Sequence, residues 1–255
     1  MTDQQELRSL PDPPTDGITQ LCYFQRESSD SLLAVTSWDG ALRLYDTTAM
    51  KPICLQSMDS GPLLGLSVCS AGKSIFTGGL DGAVRKFDID STSVAVIGHH
   101  SPHIKEPSDT ESVACSCLSS ISFGDPKAPT RFIASAGWDK NFYIWDTSNS
   151  HKKPVVEMKL PGKAFSMDVD TSSGTRVAIV TSGRRVVVID VKLDENNSPT
   201  ASIVLDRESS LKYQSRVCRF FPDGRGLAIG SIEGRVAIEF LEEIGVSSRG
   251  TFHFT

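Results

Sequence analysis

The side chains best suited to gripping an anion crowd into one short stretch, DRESSLKYQSRVCRFF at 206–221, where Arg207, Lys212, Tyr213 and Arg216 fall within ten residues. A guanidinium is a planar fork of donors that matches carboxylate and phosphate oxygens, and an ammonium supplies three further donors. Arg184 and Arg185 lie upstream in SGRR, and Arg235 downstream in EGRV. The bland alternative is a solvated connection. The net charge of −5 excludes the broad basic surface that non-specific nucleic-acid binding needs, so any anion site here is local.

Other residue clusters offer less chemistry. Cys115 and Cys117 stand two apart, as on one face of a strand, with His99, His100 and His103 upstream. No second Cys pair accompanies them, so we read the six cysteines as core thiols rather than zinc ligands or disulfides, and expect no metal or cofactor. The chain shows no glycine loop that cradles phosphate, no metal-spaced histidine set and no Gly-x-Ser-x-Gly elbow, which argues against an enzyme. The opening MTDQQELRSLPDPPTDG is polar and acidic, unlike a signal peptide, and no apolar run approaches a membrane span. The expectation is an intracellular protein without a membrane segment.

The elements that must position these cations are short strands. Twenty glycines and 13 prolines punctuate apolar runs of five to eight residues, and no helix-period stretch of useful length occurs. The class is all-β. The stretches LLAVTSWDGALRLYD (32–46), SIFTGGLDGAVRKFD (74–88) and FIASAGWDKNFYIWD (132–146) repeat one plan: strand, Asp, turn, strand, closing Asp. Asp39 and Asp46, Asp81 and Asp88, and Asp139 and Asp146 each stand seven apart, with Tyr45, Phe87 and Trp145 before the second Asp. Two weaker copies follow, VAIVTSGRRVVVID (177–190) and GLAIGSIEGRVAIEF (226–240); Ile189 and Glu239 replace the aromatic, and Glu233 the first Asp.

This pattern resembles the WD-repeat β-propellers, in which each repeat of about 40–45 residues is one four-stranded blade. IWD at 144–146 and GH at 98–99 are the family's dipeptides. The resemblance implies a buried set of His99, Ser135, Trp145 and Asp139 in the third blade, while Asp39, Asp81 and Asp139 are structural and Glu233 braces its turn. Blades are expected over 17–58, 62–98, 116–160, 163–205 and 214–255, after a leader at 1–16 with a closing strand at 6–10, and with an insertion loop at 101–115. The related propellers carry seven blades, so the five found here point to a C-terminally truncated ring.

SSDSLLAVTSWDGALRLYD, SGRRVVVID, ESSLKYQ and SIEGRVA are together more specific, and resemble the Bub/Rae branch of the WD-repeat family over about Leu10 to Phe254. That likeness implies a non-enzymatic spindle-checkpoint adaptor, nuclear and at kinetochores in mitosis, with some in the cytoplasm. It would bind the GLEBS peptide of checkpoint kinases and carry them to phosphorylated Met-Glu-Leu-Thr repeats of a kinetochore scaffold. Alternatives are a Rae-type messenger-RNA export factor and a generic WD-repeat scaffold. By the same likeness Arg216 pairs with acidic residues of the peptide, with Trp38, Lys212 and Tyr213 beside it. Arg235 meets the phosphothreonine, Arg249 stands where the family has a lysine, and Arg184 and Arg185 support the basic rim. Trp38 and Tyr213 also fit a packing role between blades.

Overall fold

In a computed structural model, which describes residues 9–26, 30–58, 61–69, 71–100, 113–123, 130–148, 151–241 and 250–252, the alternating apolar runs form five antiparallel sheets. The first holds β1 (Ile18–Gln25), β2 (Ser31–Ser37), β3 (Ala41–Asp46) and β4 (Lys51–Ser57). The second holds β5 (Leu63–Val68), β6 (Ser74–Gly79), β7 (Ala83–Asp88) and β8 (Ser93–His99). The third holds β9 (Cys115–Ile121), β10 (Phe132–Gly137), β11 (Asn141–Asp146) and β12 (Val156–Lys159). The fourth holds β13 (Ala164–Val169), β14 (Arg176–Thr181), β15 (Arg185–Leu193) and β16 (Pro199–Glu208); the fifth holds β17 (Ser215–Phe220), β18 (Gly226–Ser231), β19 (Val236–Phe240) and β20 (Gly250–Phe252). The expected closing strand at 6–10 and most of the insertion loop, 101–112, lie outside the described residues, and Ser9 and Leu10 are not in a strand.

Strands follow chain order within each sheet, and each sheet's first strand packs beside the first strand of the next. The result is a five-bladed propeller arrangement around a central space of about 640 Å³, to which Gln20, Ser67, Ser120, Asp168 and Arg219 contribute, one from each blade. The cores lie between blades. Leu32, Ala34 and Leu44 of blade one meet Leu66 and Phe87 of blade two, and Val180 and Val188 of blade four meet Cys218 and Leu227 of blade five. Burying each such Leu or Val side chain stabilises by about 1.5–3 kcal/mol, which is why the second strands, covered on both faces, read as nearly unbroken apolar runs.

The polar set of blade three is present with one correction. His100, not His99, donates and accepts within it: Nδ1 lies 3.1 Å from Asp139, Nε2 lies 2.7 Å from Ser135 Oγ, and Trp145 Nε1 donates to that same oxygen at 2.8 Å. His99 ends β8 paired with Ala83 and stays exposed, whereas His100 starts the loop to blade three and turns inward. The glycine of the GH pair is required by packing, because a Cβ on Gly98 would collide with the Trp145 ring.

Parity along the first strands is a second correction. Every one of them carries a one-residue bulge, at Thr19, Leu64, Ser116, Phe165 and Arg216, seen as a register shift against the second strand. Because of the bulge at Ser116, Cys115 faces blade two and Cys117 faces blade four, so the two thiols enter different cores. Burial pushes the Cys117 thiol up to about 12, and the Cys115 thiol well above its ordinary range. The expectation that they share a face fails for this reason.

Candidate functional site

Backbone bonds put the turns and inter-blade loops on one rim. Met58, His100, Leu160 and Ser209, just past each fourth strand, donate N–H bonds to the turn residues Gly40, Gly82, Lys140 and Arg184. On the other side of each turn, the N–H groups of Trp38, Leu80, Trp138, Ser182 and Ile232 donate to the residue preceding each first strand or close to it. Trp38 (44% exposed) and Ile232 (64%) therefore present apolar side chains on the rim that carries Lys212 and Tyr213 (53%).

Most of the cations crowded around blades four and five are neutralised there. Arg184, at φ 60° in the tight turn after β14, bends back on the loop, where Nη1 donates to Leu211 O at 2.8 Å and Nη2 to Glu208 at 2.8 Å. Arg185 donates to Asp206 through Nε at 2.9 Å. Arg207 Nη2 reaches Glu239 at 3.1 Å. The expected supporting rim of Arg184 and Arg185 thus meets acids of the loop itself and pins it.

Glu239 is the residue that sequence reasoning missed. It occupies the position of Trp145 in blade five, is buried, and accepts from Ser209 Oγ (3.1 Å), Ser210 N (2.9 Å) and Ser210 Oγ (3.2 Å) as well as from Arg207. Its loss of the aromatic was visible as a departure from the repeat; the serines it would hold were not. A carboxylate in this seat converts an inter-blade loop into one fixed by charge-assisted bonds.

Arg216 differs from its neighbours. It is the bulged residue of β17, exposed, and its guanidinium sits 4.5 Å above the ring of Phe165, the bulged residue of β13. Bulges re-aim side chains, and here two successive ones bring a cation onto an aromatic face, leaving the edges of the fork open. Among the described residues no carboxylate pairs with Arg216 or Lys212. Arg235 is half exposed and lies 3.7 Å from Glu233. A bond from Ile232 N to Gln214 O, 3.1 Å, ties the Arg235 turn to the Lys212–Arg216 loop. Trp38 stands on the same rim in blade one, and Arg249 lies outside the described residues.

A rim of exposed aromatics with a small number of unneutralised cations fits an acidic extended peptide. No family profile matches the chain. Curated relatives do: the chain is 29% identical over 239 residues to the mitotic checkpoint protein bub-3 of Caenorhabditis elegans, covering 92% of this chain and 61% of that protein. It is 31% identical over 242 residues to the mitotic checkpoint protein BUB3.1 of Arabidopsis thaliana, covering 92% and 61%. Over nearly its whole length the chain is thus similar to proteins of the Bub/Rae WD-repeat group. The other arm is represented by a poly(A)+ RNA export protein of Schizosaccharomyces pombe, 27% identical over 242 residues and covering 94% of this chain. The chain spans about 60% of the length of the curated relatives it matches. That similarity agrees with the all-β propeller seen here.

Proposed function

We propose that the protein is a non-enzymatic adaptor of the spindle assembly checkpoint, working in the nucleus and at kinetochores, with some in the cytoplasm. Its rim binds a GLEBS-type peptide of checkpoint kinases through Arg216, with Trp38, Lys212 and Tyr213 alongside. The supporting observation is the contrast between Arg216, stacked on Phe165 with open donors, and Arg184, Arg185 and Arg207, whose donors are taken. Arg235, with Arg249 in the role of the family lysine, receives the phosphothreonine of scaffold repeats; a phosphate adds about −1.5 to −2 charges, enough to favour it over the free hydroxyl. The buried acids of the inter-blade joints, Asp139 and Glu239, are engaged in structural bonds, which fits a role in binding.

Calorimetry with a synthetic GLEBS-type peptide tests this. Arg216→Glu is expected to lower affinity about a hundredfold, equivalent to about 3 kcal/mol, with an unchanged melting temperature. Unchanged affinity rejects the site. In the same assay Arg235→Ala should weaken a Thr-phosphorylated repeat peptide more than its unphosphorylated form, and equal losses reject the phosphate role. A second reading, export factor at a nuclear pore, is favoured by the relatives that bear that name. Recovery of nucleoporins without checkpoint kinases in a pull-down decides for it.

A further inference from the structure

The turn acids of the blades differ in what satisfies them. In blade one, Asp39 receives Arg43 from β3, at 2.8 Å, and Thr15 N from the rim side, at 3.0 Å. Asp81 in blade two receives Arg85, and Asp139 in blade three receives His100 from the rim side and Asn141 Nδ2. Blade five keeps the acid, as Glu233, but supplies neither donor; only its Oε2 faces a cation, Arg235 Nε at 3.7 Å, and its Oε1 has no partner among the described residues. By strand register the Arg43 and Arg85 position is Ala237, and the residue in the loop position of His100 is Ser209, which is drawn to Glu239 instead.

Three polar atoms are left over. Glu233 Oε1, Ser231 Oγ and Ser215 Oγ are all buried and have no hydrogen-bond partner among the described residues. Ser215 is fully buried and is the cross-strand partner of Ser231, so the two hydroxyls stand on one face about 5 Å apart at Cβ. In blade one the residues matching Ser231 and Glu233 are Ser37 and Asp39, which bond to each other, so this turn geometry brings the two side chains together. Leaving a buried carboxylate oxygen without a donor is costly, and a protein normally removes that cost with a bound group. Three acceptor sites match the three N–H donors of an ammonium.

We propose that the second turn of blade five receives the protonated head of a lysine or arginine from a bound peptide, held by Glu233, Ser231 and Ser215. It enters from the rim, as Thr15 and His100 do in their blades. This deepens the rim's reading as a peptide-binding surface and rests on it: beside Arg216 and Arg235, the partner segment carries a basic residue close to its acidic or phosphorylated ones. The selectivity is bipolar, so a peptide of uniformly negative charge binds less well than one with a lysine in register.

The test uses the lysine head alone. Amide chemical shifts of the ¹⁵N-labelled protein are followed on titration with N-acetyl-lysine N-methylamide, with the norleucine analogue as control. Saturable shifts are expected at Ser231, Gly234 and Arg235 with the lysine probe only, and Glu233→Gln should weaken them at least about tenfold, as loss of a charge-assisted bond implies. Ser231→Ala, a smaller perturbation, should weaken them less. Absence of saturable shifts, equal shifts with norleucine, or equal affinity in Glu233→Gln each overturns the proposal. Because this probe carries no acid, failure of the acidic peptide in the earlier experiment would reject the functional reading while this titration still decides the lysine site.

Discussion

In blade three the loop arriving from the previous blade is tied down by His100, which bonds Asp139 and Ser135 while Trp145 donates to the same serine. In blade five the arriving loop is tied by Ser209, Ser210 and Arg207, all of which donate to Glu239 at the Trp145 position. Blade four fills the same position with Ile189, inside an apolar cluster with Val177, Ile179 and Val187. The fold therefore demands that the joint be filled and that its polar atoms be paired, and not that any one chemistry do it. The choice has a functional consequence. A fully buried knot leaves the rim neutral, whereas the carboxylate of blade five absorbs Arg207 and fixes a loop from which Lys212, Tyr213 and Arg216 project.

The largest break in this comparison is expected at His100. Its side chain and that of Asp139 are both fully buried, so His100→Ala removes two buried bonds and leaves the Asp139 carboxylate with its bonds from Asn141. Urea unfolding should show a loss of about 3 kcal/mol. The exposed neighbour gives the contrast: His99→Ala should fall within about 0.5 kcal/mol of the parent.

Glu239→Gln comes next. The amide keeps an acceptor for the serines but turns an N–H group toward Arg207, and the loss should be about 2 kcal/mol. Unlike His100→Ala, it should also weaken the GLEBS-type peptide, because it frees the loop that carries Lys212 and precedes Arg216. Calorimetry on both variants distinguishes a joint that only stabilises from one that also shapes the rim.

Much of this was legible in the residues. The apolar runs mark five sheets, the Asp-to-Asp spacing marks the first three of them, and Asp-Gly turns mark the first two, where Gly40 and Gly82 take the positive φ that those turns need (77° and 81°). Less legible was anything that depends on a single-residue shift. The bulges at Ser116 and Arg216 invert the in-out parity of the strand start, which a period of two cannot reveal, and so separate Cys115 from Cys117 and turn Arg216 toward Phe165. The choice between His99 and His100 is the same kind of one-residue question at the end of β8. The basic crowd around 206–216 was visible as composition, but its neutralisation was not: Arg184 and Glu208 are 24 residues apart and Arg207 and Glu239 are 32, distances across which sequence carries no pairing signal.

The smallest effect is expected where the rim-side donor is exposed. Thr15 holds in blade one the place of His100 in blade three, donating to Asp39 through N at 3.0 Å and Oγ1 at 3.2 Å. Burial opposes ionisation of Asp39, but bonds from Arg43, Ser37, Thr15 and Ala41 outweigh it and hold the carboxyl well below the usual carboxylate range. A folded-state value below the unfolded one of about 3.9 means that the unfolded chain binds the proton more readily. The contribution of Asp39 is therefore fully present above that value and is lost as pH falls through it toward the folded one. Thr15→Ala removes only the hydroxyl, so it should cost about 0.5 kcal/mol near neutral pH. The backbone bond from Thr15 that helps to hold Asp39 down is kept in this variant, so the stability lost between neutral and acid pH should change little. If unfolding at several pH values gives Thr15→Ala a loss as large as that of His100→Ala, burial is not what separates the two joints, and the rim strap of blade one is as essential to the fold as the knot of blade three.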